Sequence, residues 1–252
     1  MKWRGIPLAA LAFLGLAAAV TATAQDSWIG GSLSLDRLAP VEPGAYLAGD
    51  TVAFTLDGAN GNFWLRFRGS PEVFVLYADH GSLGGRILRY DSGETALAVA
   101  GWGGITLYTD AAPQGLPAVR TGNSSPPQLP QLSVSEMQGT ASDEAERLGY
   151  VRGLNLQFGA DWNALGDNPG LRSAAFVAME NTARGIERAT GAGPARAAFT
   201  HRFALVTLQP GYHPTLAASG HTLIVTFNPG QGFAGCASSR AIARALGNLL
   251  AR

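Results

Sequence analysis

Between residues 45 and 109 apolar and polar positions alternate with a period of two, interrupted at near-regular intervals by glycine-rich punctuation. Val52, Phe54 and Leu56 alternate with Thr51, Thr55 and Asp57 ahead of Gly58-Ala-Asn-Gly61. Phe63, Leu65 and Phe67 alternate with Trp64, Arg66 and Arg68 ahead of Gly69-Ser-Pro71. Residues 73–77, 86–90, 95–100 and 105–109 continue the series, separated by Asp79-His-Gly81, Asp91-Ser-Gly93 and Gly101-Trp-Gly-Gly104. Successive side chains of a strand point to opposite faces, so period two marks a half-buried strand. Runs of this kind about ten residues apart predict an antiparallel β meander closing as a small barrel or sandwich. A further edge strand is expected over residues 32–38.

The period changes after a proline-rich stretch. Pro113, Pro117, Pro126, Pro127 and Pro130 interrupt residues 113–130, and proline donates no backbone hydrogen bond. Residues 113–135 are therefore expected to form a linker without helix or central strand. Beyond it, Thr140 with Asp143 resembles a capping box opening a helix that runs to about Tyr150. Asn168-Pro169 is a good helix start. Behind it Leu171, Ala175, Ala178, Met179, Thr182, Ile186 and Ala189 recur at three- and four-residue steps up to Gly191, predicting a long amphipathic helix. Residues 199–208 and 221–227 are β-rich and flank a Pro/Gly loop, predicting a β-hairpin. Ser238 or Ser239 caps a final helix with Ile242, Ala245, Leu246 and Leu249 on its buried face. The expected fold class is α+β: a β domain over residues 25–112, the linker, and an α+β half over residues 136–252.

Residues 1–24 read as a signal peptide. Lys2 and Arg4 precede an uncharged apolar run over residues 6–20, and Ala22-Thr-Ala24 supplies the small-x-small cleavage pattern. The apolar run is shorter than the roughly 20 residues a bilayer core requires. Cleavage is expected before Gln25, leaving a soluble chain with no membrane span. The carboxy-terminal segment reads as a helix rather than a closing strand, against an outer-membrane barrel. A periplasmic or secreted location in a Gram-negative cell follows.

Composition narrows the chemistry. The 18 Lys+Arg balance 18 Asp+Glu, and charged residues make up 14% of the 252 residues. That lacks the basic footprint of a nucleic-acid binder. Apolar residues at 46% suffice for a core. The single cysteine, Cys236, excludes an internal disulfide and a cysteine-cluster metal site. Lys2 is the only lysine, so no lysine of the cleaved chain can act as base or Schiff-base former.

Gly230, Gly232 and Gly235 form GxGxxG, but too little chain follows for the rest of a dinucleotide-binding unit. A bare anion site at the start of the last helix is the remaining ligand reading there. Cys236 stands ahead of that helix, where a thiolate gains from the dipole, and His201, His213 and His221 lie upstream as candidate bases. The alternative is a small buried hydrophobe. His80 and these three histidines show no metal-ligand spacing. Asp143, Glu144 and Glu146 fall at the start of a helix, where acids favour the dipole. Glu180 and Glu187 with Arg184 and Arg188 read as ordinary exposed helix pairs. Trp28, Trp64 and Trp102 with Tyr77, Tyr90 and Tyr108 concentrate in the β half, as core or as a stacking surface. Trp64 shares its face with Arg66 and Arg68, which makes that face either solvent-exposed or a partner surface.

Tyr90-Asp-Ser-Gly-Glu94, Gly101-Trp-Gly-Gly-Ile-Thr-Leu-Tyr108 and Pro113-Gln-Gly-Leu-Pro117 resemble segments of exported bacterial proteins grouped as a domain of unknown function. So do Thr222-Leu-Ile-Val-Thr-Phe-Asn-Pro229 and Cys236-Ala-Ser-Ser-Arg-Ala-Ile242. The resemblance implies a similar length, a signal peptide and a β-then-α+β order, and no activity. With no assembled catalytic motif, no cofactor and no metal site expected, the sequence reads as a non-enzymatic envelope accessory or binding module. Its partner would be an envelope protein, a peptide or a glycan, and not nucleic acid. The alternative is a small periplasmic hydrolase with a Cys/His site near Cys236.

Overall fold

The computed structural model describes residues 39–59 and 61–251. The leader and the edge strand expected over residues 32–38 lie outside the described residues. Eight antiparallel strands form a closed barrel: β1 (Gly44–Ala48), β2 (Val52–Ala59), β3 (Asn62–Phe67), β4 (Phe74–His80), β5 (Arg86–Tyr90), β6 (Thr95–Val99), β7 (Ile105–Thr109) and β8 (Ala112–Gly122). The period-two reading thus resolves to a barrel, with β8 closing onto β1.

The barrel interior follows from the alternation. Strands β2 to β7 each supply one fully buried leucine: Leu56, Leu65, Leu76, Leu88, Leu97 and Leu107. Register sets Leu56 beside Leu65, Leu88 beside Leu97 and Leu97 beside Leu107. Each such burial contributes about 1.5–3 kcal/mol. Next to this layer an aromatic chain runs from Tyr46 through Phe54, Phe67 and Phe74 to Tyr90, with ring centroids 5.2 to 6.5 Å apart. The barrel is a packed core, and most of its aromatics are structural. Trp102 and Tyr77 are exposed.

The linker reading over residues 113–135 is corrected in its first part, because Pro113 and Pro117 sit inside β8. Both fall in the stretch of β8 that is in register with β7 alone; β1 joins it only from Ala118 onward. A residue with a neighbouring strand on one side has no ladder partner for an N–H on the other, so proline costs little there. Gly49 N–H still donates to the Pro117 carbonyl. Residues 123–133 then cross without helix or strand as a strap.

The second half holds α1 (Val134–Arg152), β9 (Gln157–Ala160), α2 (Trp162–Asp167), α3 (Pro169–Ala189) and α4 (Gly193–Arg202). It continues with β10 (Leu205–Pro210), β11 (Thr215–Ser219), β12 (Thr222–Phe227) and α5 (Ser239–Leu250). Helix α1 starts earlier than expected: Ser133 and Glu136, rather than Thr140 and Asp143, form a complete capping box. Asn168 caps α3 with Pro169 in its first turn, and Ser238 caps α5. The hairpin is corrected in its partners. Residues 199–202 are helical, β10 runs parallel to β12, and the antiparallel partner of β12 is β11. The four strands order as β11-β12-β10-β9. Their core, with Met137, Phe199, Phe203, Phe227, Met179 and Ile242, is separate from that of the barrel.

Candidate functional site

The two halves meet where the β3–β4, β5–β6 and β7–β8 connections face α3 and α5. Glu72, buried on the first connection, accepts from Ser239 N–H and Ser239 Oγ–H, both at 2.8 Å. Asp91, on the second, accepts from Ser238 N–H at 2.7 Å and Ser238 Oγ–H at 2.5 Å. Asp110, on the third, lies 3.0 Å from Arg188 and 2.6 Å from Arg240. Arg240 also pairs with Glu94 and lies over the Tyr90 ring, and Arg244 donates to the Ser92 carbonyl.

Helix α5 therefore offers its positive end to two carboxylates of the barrel. Burial pushes both Glu72 and Asp91 above the usual carboxylate range, against the lowering effect of their serine hydrogen bonds. Burial also pushes Asp110 up, but Arg240 and Arg188 outweigh it and hold the carboxyl below its ordinary value. A cleft of about 570 Å³ opens beside this latch, with Val52, Phe67 and Phe74 on the barrel side. Its arginines carry partners from within the chain: Arg152 with Glu187, Arg184 with Glu180, Arg188 and Arg240 with Asp110. The anion-binding capacity at the start of α5 is thus taken by the protein itself.

The Cys/His arrangement is not assembled. Cys236 is buried, and its thiol donates to the Ala174 carbonyl at 3.3 Å. Burial pushes its pKa up to about 12. His201, His213 and His221 are exposed, and the His221 ring lies 3.2 Å from the Arg202 carbonyl. The glycine run forms a 3₁₀ turn over Pro229–Gly235, closed by Asn228 N–H donating to the Gly235 carbonyl at 2.7 Å. A Cβ on Gly235 would lie 1.9 Å from the Asn228 carbonyl oxygen, so that glycine answers to close backbone approach. Among the described residues no three His, Cys, Asp or Glu side chains gather as a metal site.

The helix pairs differ in part from the sequence reading. Arg184 does pair with Glu180. Glu187 reaches instead to Arg147 at 2.5 Å and Arg152 at 3.7 Å on α1, and Arg188 reaches to the barrel. Sequence spacing gives only neighbours on one helix; which helix or loop packs alongside decides the rest.

The Trp64, Arg66 and Arg68 face is divided. Toward Trp64 the chain covers it: Phe233 stands edge-on to the Trp64 ring at 6.4 Å, and the strap brings Ser124 to within 2.5 Å of Asp57. Arg66 donates to the Ser125 carbonyl at 2.7 Å and lies 3.6 Å from the buried Asp57. Toward Arg68 the face is open. Register there aligns Thr55 with Ala45 and Arg66, and Leu47 with Ala53. Outward alanines on β1 and β2 between larger neighbours leave a trough of about 450 Å³, lined also by Ser70, Arg68 and Thr121.

Two arginines and no carboxylate line this trough among the described residues. Thr55 Oγ1 and Arg66 Nε are buried without a hydrogen-bond partner. Asp57 Oδ2, on the same strand as Thr55, is likewise buried without a hydrogen-bond partner, and an unmet buried polar group costs about 1–3 kcal/mol. Sequence alternation could put Arg66 and Arg68 on one outer face. It could not show the alanine floor or the orphaned hydroxyl, which depend on cross-strand register.

Residues 32–246 match the family model described as "Domain of unknown function (DUF4908)". The chain belongs to this family. The match spans the barrel, the strap and nearly all of the α+β half, so the family unit contains both the latch and the trough. No curated protein and no solved structure matches the chain. Among the described residues no helix is long and apolar enough to cross a membrane.

Proposed function

We propose that this family member is an exported, non-enzymatic binding module of the Gram-negative envelope, with the outer trough of the barrel as its binding site. The open trough of about 450 Å³, with its alanine floor and the exposed Arg68 at its edge, carries this reading. The leader pattern of residues 1–24 supports export to the periplasm or medium. The inert surroundings of Cys236 favour binding over hydrolysis. An envelope protein, a peptide or a glycan would present the polar partner.

Expression with the native leader is expected to give a periplasmic or secreted product starting at Gln25; an unprocessed product retained in the cytoplasm would sink the export reading. For binding, arrays of short peptides and glycan fragments are probed with the wild type and with Ala53→Leu, which fills the trough floor. Retention by the wild type and not by Ala53→Leu supports the site. Equal retention by both, or none by either, counts against it.

A further inference from the structure

We infer that the end of the barrel remote from α3 and α5 docks on a phospholipid bilayer surface, with Leu83 and Trp102 entering the interface side by side. In an antiparallel meander alternate connections share an end. The β3–β4, β5–β6 and β7–β8 connections meet the helices, so the β4–β5 and β6–β7 connections lie together at the other end. Each carries one large apolar side chain held outward: Leu83 is 90% exposed and Trp102 83%. Leu83 stands at φ +53°, a left-handed backbone that is strained for any residue but glycine and persists only where the surrounding structure enforces it. The two tips also touch. A Cβ on Gly101, the residue before Trp102, would lie 2.5 Å from the Leu83 carbonyl oxygen, so glycine there lets the loops close on each other. Gly85 N–H donates to the Ser82 carbonyl at 3.0 Å and Gly103 N–H to the Ala100 carbonyl at 2.8 Å, which fixes each tip.

Three observations select a bilayer over a protein partner. The first is area. Two protruding side chains of at most about 250 Å² each fall short of the roughly 800 Å² per partner that a stable protein interface buries. The second is charge. Residues 81–85 and 100–104 contain no charged side chain, and tryptophan is favoured at headgroup level with apolar side chains beneath it. The third is place. Ala39 N–H donates to the Gly84 carbonyl at 3.0 Å, so the chain preceding it, with the apolar run over residues 6–20, is joined to the fold at this end. In the export reading, residues 25–38 reach at most about 50 Å, which keeps this end near the bilayer that the run enters.

Flotation with vesicles of phosphatidylcholine alone, and of phosphatidylethanolamine with phosphatidylglycerol, tests this on the protein isolated after expression with its native leader. Leu83→Gly and Trp102→Ser each remove one protruding side chain, with circular dichroism and thermal unfolding to verify the folds. The wild type is expected to float with both vesicle types, because the tips carry no charge. Each variant should bind at least about tenfold more weakly, the factor that withdrawing one large apolar side chain corresponds to. Leu83→Gly should keep or raise the melting temperature, since glycine adopts φ +53° without strain, so its lost binding is not lost folding. Equal flotation of the wild type and both variants would overturn the inference and place the attachment elsewhere in the chain. Flotation with the phosphatidylglycerol vesicles alone, abolished by salt, would overturn it in favour of electrostatic attachment. A wild-type dimer without lipid that Trp102→Ser dissociates would overturn it in favour of a second copy, and failure of the wild type to float with either vesicle would overturn it outright. The trough is tested separately by the array comparison.

Discussion

Glu72 holds the first turn of α5 through Ser239, taking both the backbone N–H and the side-chain hydroxyl at 2.8 Å across 167 residues of chain. Asp91 repeats the arrangement one residue earlier, on Ser238. Two loops at one end of the barrel thus bind successive residues of a helix start. The barrel supplies the anions and the helix supplies the donors, so neither half satisfies these groups alone.

Glu72→Ala is expected to destabilise the protein by about 1–3 kcal/mol, because it leaves Ser239 N–H and hydroxyl buried without an acceptor. Glu72→Gln keeps one acceptor and should cost less. Urea unfolding of both variants measures this, and equal stability of Glu72→Ala and wild type would contradict the latch.

The same carboxyl carries a pH signature. Burial raises its folded-state pKa above the unfolded value, so the folded protein holds the proton more tightly. Its contribution is fully present below the ordinary carboxylate pKa and is lost as pH rises through the folded value. The stability of wild type relative to Glu72→Gln should therefore increase as pH falls from 7 toward 4. A difference that shrinks over that range would refute the assignment.

Cys236 should resist alkylation in the native state. With its pKa pushed up to about 12, the thiolate fraction at pH 8 is on the order of a thousandfold below that of an unfolded cysteine. Iodoacetamide labelling read by mass spectrometry should require denaturant. Rapid labelling of the folded protein at pH 7 would revive the hydrolase alternative.

Gly185 and Gly247 should respond oppositely to the same change. A Cβ on Gly185 of α3 would lie 2.5 Å from Ile242 on α5, whereas one on Gly247 meets nothing within 4 Å. Gly185→Ala is expected to cost about 1–3 kcal/mol by overpacking. Gly247→Ala should gain about 0.5–1 kcal/mol from helix propensity. Thermal unfolding of the pair tests whether α3 and α5 pack as closely as described.

Ser133→Ala should cost about 1 kcal/mol and speed amide exchange at Glu136, whose N–H the Ser133 hydroxyl accepts at 3.2 Å. An unchanged exchange rate would return the start of α1 to the Thr140 region.

Much of the local structure was legible along the chain. Strands β2 to β7, the Asn168-Pro169 start of α3 and the Ser238 cap of α5 follow from side-chain periodicity and from one residue satisfying its near neighbours. The misreadings share a cause. Pro113 and Pro117 look like breakers until one knows that β1 leaves that stretch of β8 unpaired. Residues 222–227 take a parallel partner, β10, that no turn signal announces. Ser133, the N-cap of α1, lies inside the stretch that the prolines mark as linker.

The candidate site divides the same way. Alternation alone placed Arg66 and Arg68 on one outer face, and the solitary Cys236 already excluded a disulfide. That Thr55 stands opposite Arg66, that Ala45 and Ala53 hollow the surface between strands, and that Glu72 and Asp91 occupy the helix start were decided by tertiary structure. Periodicity is a property of neighbours in sequence, set by backbone geometry within a few residues. Register, burial and charge pairing join residues as much as 167 positions apart, and only closure of the barrel and its docking against α3 and α5 brings them together.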